Sequence, residues 1–558
     1  MDAAFATLPE ILFRNAKCFS THGVGFCHPD NNTTFYSFPE LLSSSEVMLA
    51  GLRGHGIDQG DKLIVALEKA EEIIPVFWAC MLGGIVPALL QPPVTFTEYN
   101  PAGEKIGKVY EILGCPKVVL SQDHSENWDY RNVPASSRIN VNQLRLHGRA
   151  GEFHQAQPGD LAFIQFSSGS TGDPKGVMLT HRNIITNITD IACTSLMNLR
   201  DITVNWMPLY HDMGLIGFHI TPMSVGYTQF FIDPADFIKN PMLLLDAISR
   251  NRGTMTGCPT FGQAIINRFL LKRKDHDFDL SSLRIIFNGA EPISVPVMRS
   301  FTENLKPFGL NPASMLPAYG LAEATLAVSF ADVVAEPEVF RFKRKEMLRN
   351  GKAVETCLAD QDAIELVSLG TPLRSCKVSI VTEAGLEVKE GVIGKILVSG
   401  KNVSKGYYGL PAMRHTGDGD DWLHTGDLGF IYRGRLFITG RSKDILSIHG
   451  VKYYAHDLEN ILLQLEEVHF GKVFVAGDFD VGLGRDKLFI FLVSSLNEKI
   501  VSVCRRIKQR LTFTLGLSPD AFVCIRSSDI PRTSSGKIQR YKLISRFHKG
   551  VSGQVIMI

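Results

Sequence analysis

Residues 161–166, Leu-Ala-Phe-Ile-Gln-Phe, are an apolar run of strand length, and the next six residues are Ser167, Ser168, Gly169, Ser170, Thr171 and Gly172. A buried-type strand that breaks at once into hydroxyls and bare backbone leaves few local designs. Such a loop offers hydroxyl and amide donors to an anion, and Lys175 just beyond it adds a positive charge. No Gly-Lys-Ser/Thr follows a first glycine at the spacing of a Walker A loop, so this is not that motif. Short Ser/Gly runs also occur as solvated linkers. Here the run abuts a strand and ends in Pro174-Lys175-Gly176, which favours a polyphosphate site.

The chain has 558 residues, too many for one core and enough for roughly three or four domain-sized units. Lys and Arg number 58 and Asp and Glu 57, so the overall charge gives no electrostatic case for nucleic acid or a membrane surface. Ten cysteines occur without a Cys-x-x-Cys pair, which argues against a structural zinc site and a disulfide framework and fits a reducing cytoplasm. The first residues lack a basic segment before an apolar core, so no signal peptide is expected. Ile73 to Val94 is apolar, but Gly83, Gly84, Pro87, Pro92 and Pro93 interrupt it and Glu71 and Glu72 precede it. That pattern predicts a buried helix running into a strand, with no transmembrane segment.

In residues 1–150, strands at Asp61–Ala66, Ile85–Leu90 and Lys117–Leu120 alternate with helices at Glu71–Met81 and around Val109–Leu113, which predicts an α/β fold with parallel sheets. Thr180 is placed to cap a helix carrying Ile184, Ile188 and Ile191. The polar pair His211-Asp212 sits inside apolar residues of Trp206–Gly217, as in the wall of an apolar pocket or as a satisfied core histidine. A strand at Leu283–Phe287 runs into Asn288-Gly-Ala-Glu-Pro292, the kind of strand end where α/β sheets bind ligands. Tyr319 can stack on a flat base and Glu323 can hold a hard cation. From about 370 to 440, short runs at Lys377–Val381, Lys395–Val398 and Arg435–Ile438 predict a small β-subdomain, in which Thr425-Gly-Asp427 is either a turn or a ribose-binding carboxylate. A boundary falls at Gly440–Asp444. Residues 441–558 then read as a compact α+β domain ending in the loop Ile530–Ile538, which presents Lys537.

Five stretches, Ser167–Gly176, Tyr319–Glu323, Thr425–Asp427, Gly440–Asp444 and Pro531–Lys537, occur in one order over nearly the whole chain. As an ordered set they resemble the adenylate-forming superfamily of acyl-CoA synthetases, peptide-synthetase adenylation domains and luciferases. Within it the chain is most similar to the fatty acyl-AMP ligases. Pro208-Leu-Tyr-His-Asp-Met-Gly-Leu-Ile-Gly217 matches their fatty-acid motif, Ala322 precedes Glu323 where CoA ligases carry threonine, and an extra segment of about residues 331–368 stands where they carry an insertion. Lys395 departs from the glutamate usual after Gly394.

The resemblance implies a large domain, residues 1–440, of two parallel α/β subdomains plus the β-subdomain, and a mobile small domain, residues 441–558. It implies ATP-dependent activation of a medium- or long-chain fatty acid to acyl-adenylate with Mg2+, then acyl transfer to the phosphopantetheine arm of an acyl carrier protein. Ser167, Ser168, Gly169, Ser170, Thr171, Gly172 and Lys175 would hold the phosphates and Glu323 the magnesium. Asn288, Gly289, Ala290, Glu291, Tyr319 and Gly320 would surround the nucleotide, with Asp427 and Arg441 on the ribose. Lys537, His211 and Glu323 would be catalytic, Lys537 bridging carboxylate and α-phosphate. Met207, His211, Asp212, Met213, Gly214 and Ile216 would form the acyl pocket, and Lys443 the hinge. The alternatives are a fatty acyl-CoA synthetase using free CoA and a non-catalytic ATP-binding scaffold.

Overall fold

The apolar stretch after Glu72 folds as the helix Ala70–Gly83, buried without a break from Ile73 to Gly83. Gly84, at φ 67°, takes the left-handed conformation that ends the helix and leads into the strand Val86–Leu89. The helix is apolar all round because it is enclosed: one core contains Leu63, Val65 and Val119 from one sheet and Val24, Phe26 and Phe231 from another, with this helix between them. The computed structural model describes residues 5–556 apart from 94–100, 128–131, 149–151, 169–172, 272–276, 358, 361, 412–413, 417–420, 450, 481, 496, 533–537 and 551–552.

The first sheet is parallel, in the order Val86–Leu89, Lys62–Ala66, Lys117–Leu120, Arg138–Asn140. Helix α1, Pro101–Ile112, packs on it through Ile106, Val109 and Tyr110. The second sheet has nine strands, parallel through its middle from Ile285–Asn288 and Met315–Gly320 to Gly23–Cys27 and antiparallel at both edges. Its N-terminal strands Gly23–Cys27 and Thr33–Ser37 pair beside Gln229–Phe231, so the two α/β units are threaded through each other. Among the described residues, no helix is long and apolar enough to cross a membrane.

Strand β1, Leu161–Ser168, does not lead directly into a helix. The chain returns as β2, Pro174–Thr180, antiparallel to β1. Ser167 and Ser168 therefore end the first strand of a hairpin, and Gly169, Ser170, Thr171 and Gly172 lie outside the described residues. Thr180 then caps the helix His181–Thr194 as predicted, accepting from the Asn183 N–H while Asn183 Oδ1 accepts from Thr180 N–H and Oγ1–H.

The β-subdomain is built on two long strands, β3, Asp421–Tyr432, and β4, Arg435–Arg441. Phe430 and Phe437 stack across this pair with centroids 5.1 Å apart. The extra segment forms a hairpin of Val339–Lys343 with Ala363–Val367, with the helix Arg344–Asn350 between. It docks on β3 and β4 through Phe342, which is fully buried against Phe430 and Phe437. Its Arg344 also forms a buried ion pair with Asp457 of the C-terminal residues. One core cluster accordingly contains Phe342, Met347 and Ile364 of the segment, Phe430 and Phe437 of the β-subdomain, and Leu446, Tyr454 and Leu458 beyond Asp444. After β4 and the 3-10 turn Ser442–Asp444 come the hairpin Ile445–Ile448/Val451–Tyr454, the helix Ala455–Leu462 and a four-stranded sheet flanked by the helices Glu498–Leu515 and Arg540–His548.

The central core holds one histidine in a fixed protonation state. Trp78 Nε1–H donates to His219 Nε2 at 2.9 Å, so the imidazole proton is on Nδ1, 3.0 Å from the Gln229 side-chain oxygen. Burial pushes His219 down to about 4. That lies below its unfolded value near 6.5, so this contribution, on the order of 3 kcal/mol, is fully present above pH 6.5 and lost as pH falls toward 4. The urea midpoint of the wild type should fall over that interval. His219→Gln should show a shallower fall, not a flat one, because burial also pushes His181 and His456 down to about 4. An identical pH slope in the variant would exclude His219 as a source.

Candidate active site

The register of β3 and β4 sets Asp427 directly opposite Arg441. Arg441 Nε–H donates to Asp427 Oδ1 at 3.2 Å. The other oxygen, Oδ2, accepts from the Tyr319 hydroxyl at 2.7 Å, and the Asp427 N–H donates to Thr425 Oγ1 at 3.1 Å. Asp427 is buried, and burial, followed by the Asp427 charge, pushes the Tyr319 phenol well above its ordinary value. Tyr319 therefore stays a protonated donor, and the carboxylate is fixed with its aryl neighbour and its cation.

Beside Tyr319 the strand Ile285–Asn288 ends in Gly289 and Ala290. A Cβ on Gly289 would lie 2.6 Å from the Ala318 carbonyl oxygen, so only glycine permits this approach of the two strand ends. Ala290 is held at φ 68°, a strained conformation for alanine that concentrates at ligand sites. Glu291 accepts from the Phe261 N–H at 2.6 Å. Asn288 is fully buried, and neither polar atom of its side chain has a protein partner among the described residues.

Glu323, on the 3-10 turn Ala322–Ala324, accepts from the Tyr407 hydroxyl at 2.6 Å. Lys175 Nζ lies 5.2 Å from the centroid of the same tyrosine ring. Tyr407 thus joins the lysine and the carboxylate, and nothing in the sequence reading singled it out. Its neighbours explain the placement: Tyr408 N–H donates to the Gly176 carbonyl and Met178 N–H to the Gly406 carbonyl, so residues 406–408 run along the free edge of β2. Two tyrosines flanked by Gly406 and Gly409 were the available signal.

These groups open into one cavity of about 640 Å3, which also takes in Ser167, Gly289, Ala290, Glu291, Gly320 and Lys443. Its apolar wall includes Met213, Phe218, Phe287, Leu326 and Phe330, next to His211 and Asp212. Asp212 Oδ1 lies 2.7 Å from both His211 Nδ1 and the Met213 N–H. Met213–Ile220 is a π-helix, a rare geometry that rotates successive side chains away from their α-helical positions. Three residues assigned to the acyl pocket are placed elsewhere. Ile216 is fully buried in the core of the helix Ala70–Gly83, and Met207 is buried with its N–H held by the Asn205 side chain. Gly214 lies against the Pro208 carbonyl, where a Cβ would come within 2.1 Å. Asn288 likewise does not line the cavity, since its strand ends just before the wall begins.

From the C-terminal side the cavity is lined by His456, Glu459 and Arg540, which the sequence reading did not single out. Arg540 donates through Nη2 to both Glu459 oxygens, at 2.9 and 2.7 Å. Burial, and then the Arg540 charge, keep His456 neutral by pushing it down to about 4. Ser168's side chain and Lys537 lie outside the described residues.

This constellation and the fold define a nucleotide-dependent activating enzyme, and a family model described as AMP-binding enzyme matches residues 26–408. The chain belongs to that family. It is similar to a long-chain-fatty-acid–AMP ligase of Mycolicibacterium smegmatis, 31% identical over 86% of this chain and 84% of the relative. It is 33% identical, over 70% of this chain and 64% of the relative, to a medium-chain-fatty-acid acyl-carrier-protein ligase of Teredinibacter turnerae. A solved structure from the fatty acyl-adenylate ligases of E. coli and L. pneumophila is similar with a TM-score of 0.88 at 27% identity, covering 99% of both chains.

Asp427→Ala should chiefly weaken nucleotide binding, by roughly 10- to 100-fold, because hydrogen bonds to a charged group are lost in the ground state and the transition state alike. Direct titration with ATP checks this. A large fall in turnover at saturating ATP with unchanged affinity would contradict it.

Proposed function

We propose that the chain activates a medium- or long-chain fatty acid with ATP, forming acyl-adenylate and pyrophosphate, and passes the acyl group to the phosphopantetheine thiol of an acyl carrier protein. One observation carries this reading. A single cavity takes in the Tyr319–Asp427–Arg441 group, the Lys175–Tyr407–Glu323 group and an apolar wall beside His211. Each methylene buried on such a wall contributes about 0.8 kcal/mol, so affinity should climb steeply with chain length. The fatty-acid ligases among the chain's relatives support the same substrate class.

A carboxylate oxygen attacks the α-phosphorus while the bond to the β-phosphate breaks, so two anions must meet and a third must leave. Cations fixed in place before the reaction lower that barrier most, because they need no reorganisation as charge moves. Lys175 is such a cation, held at the Tyr407 ring, and Arg441 with Asp427 would hold the ribose. Lys537 is proposed, by resemblance, to bridge the carboxylate and the α-phosphate. Glu323 would hold magnesium. Among the described residues no group of three or more His, Cys, Asp or Glu could cage a metal alone. One carboxylate with an oxygen already engaged by Tyr407 fits an ion that brings phosphate and water ligands of its own. When bound, that ion would neutralise charge on the leaving pyrophosphate.

Lys443, on the turn Ser442–Asp444, is proposed as the hinge about which residues 441–558 rotate after adenylation. The segment 331–368 is proposed to restrain that rotation, since its Arg344 grips Asp457 and its Phe342 shares a core with β3 and β4. A bias of about 3 kcal/mol makes a competing pose roughly a hundred times rarer. Such a bias would favour a carrier-borne thiol over free CoA.

A panel of fatty acids should show acyl-AMP formation rising from acetate to dodecanoate. Acyl transfer should go to a holo-carrier protein and not to free CoA. Lys537→Ala should lower adenylate formation by roughly 10²–10³ with ATP binding largely intact. Efficient acyl-CoA formation by the wild type would replace this reading with that of a CoA synthetase.

A further inference from the structure

Residues 401–408 run between β2, which carries Lys175, and the 3-10 turn Ala322–Ala324, which carries Glu323. On the β2 side Tyr408 N–H donates to the Gly176 carbonyl at 2.8 Å and the Ser404 hydroxyl to the Met178 carbonyl at 2.7 Å. On the other side Ser404 N–H donates to the Glu323 carbonyl at 2.8 Å and Asn402 Nδ2–H to the Ala324 carbonyl at 2.9 Å. This strap fastens the lysine's strand to the glutamate's turn through backbone groups, and Tyr407 then touches both charged side chains. Its hydroxyl donates to Glu323 Oε1 at 2.6 Å, and its ring centroid lies 5.2 Å from Lys175 Nζ. All three residues line the cavity. Burial, and then the Glu323 charge, push the Tyr407 phenol far above its ordinary value, so it stays a protonated donor. Among the described residues Lys175 has no carboxylate partner. That is unexpected, because an ammonium and a carboxylate on one cavity wall attract each other, and a direct pair would leave neither charge for a ligand. The aromatic face holds the cation without cancelling its charge. The neutral hydroxyl satisfies the carboxylate without supplying a counter-ion.

We propose that Tyr407 is a positioning residue that keeps Lys175 and Glu323 from pairing with each other, so that the lysine meets the outer phosphates of ATP and the glutamate meets the metal ion. This rests on the reading of the cavity as an ATP site. Tyr407 acts through its two neighbours and need not touch the nucleotide. Without the hydroxyl, Glu323 is released to pair with Lys175, and a ligand that needs the lysine must then break that pair. A ligand that binds only the unpaired fraction has its affinity reduced by that fraction. A tyrosine that merely packs would behave differently. Its loss would weaken every ligand alike, and the loss would not depend on whether residue 323 carries a charge.

The test is calorimetric titration in EDTA, so that no metal contributes, with three ligands: α,β-methylene-ATP, inorganic pyrophosphate and AMP. The proteins are the full-length wild type, Tyr407→Phe, Glu323→Gln and the double variant Tyr407→Phe/Glu323→Gln. Phenylalanine keeps the ring and its packing and removes only the hydroxyl. Tyr407→Phe should bind the ATP analogue and pyrophosphate roughly 3- to 10-fold more weakly than wild type, the scale of one ion pair that each must break. It should bind AMP, which lacks the outer phosphates, within about twofold. The double variant should bind the analogue and pyrophosphate as Glu323→Gln does, within about twofold, because the lysine then has no carboxylate to fall on. Equal losses for all three ligands would mean that the tyrosine only supports the fold and would overturn the proposal. So would a loss that Glu323→Gln does not rescue, or unchanged affinity in Tyr407→Phe. A wild type that binds neither AMP nor the analogue would overturn the ATP-site reading itself, and the proposal with it.

Discussion

The pairing of β3 with β4 holds the molecule's parts in their working relation. On one face its register sets Asp427 against Arg441 and delivers both to the Tyr319 hydroxyl at the end of the nine-stranded sheet. On the same ribbon Phe430 and Phe437 stack and receive Phe342 of the extra segment. That segment's Arg344 then reaches Asp457 beyond the turn at Ser442–Asp444. A slip of one residue between the two strands would turn each inward side chain outward. The placement of Asp427 beside Tyr319 and the docking of the segment would then be lost together.

The electrostatic design follows from what the cavity is proposed to admit. ATP and a carboxylate are both anions, and the fixed groups answer with Lys175, Arg441 and Arg540, each constrained by an aromatic ring or a carboxylate. Removing Arg344 would leave Asp457 a lone charge in a shared core, which typically costs about 3–5 kcal/mol, whereas without Asp457 Arg344 still pairs with Asp362 at 3.1 Å. That makes the pair a better restraint on domain position than a source of net stability. Neutral His456 on the C-terminal side adds no charge to this field.

Much of this was legible in the sequence because it was local. The buried helix after Glu72, the parallel strands of the first 150 residues and the Thr180 cap each rest on a few adjacent residues. The ordered motifs Tyr319–Glu323 and Thr425–Asp427 were legible by resemblance, and both line the cavity. What was missed depended on distant pairing. Pro174-Lys175-Gly176 reads as the end of the hydroxyl-rich run, yet it opens β2, because β1 and residues 406–408 supply partners on both sides. Gly23–Cys27 and Thr33–Ser37 join a sheet whose other seven strands come from residues beyond 200. Tyr407 reaches Lys175 and Glu323 only through that edge pairing. Met207, Gly214 and Ile216 were assigned to the pocket by resemblance to a motif, which does not show which way each side chain faces; Gly214 and Ile216 lie on the π-helix Met213–Ile220.

The central claim is that a carboxylate attacks the α-phosphorus of ATP in this cavity. Dodecanoate carrying 18O in both carboxyl oxygens, turned over with ATP and a holo-carrier protein, tests it directly by mass spectrometry of the products. Attack at the α-phosphorus leaves one labelled oxygen in the phosphate of AMP and none in pyrophosphate. Label in pyrophosphate or in inorganic phosphate, or thioester formation with unlabelled AMP, would contradict the account.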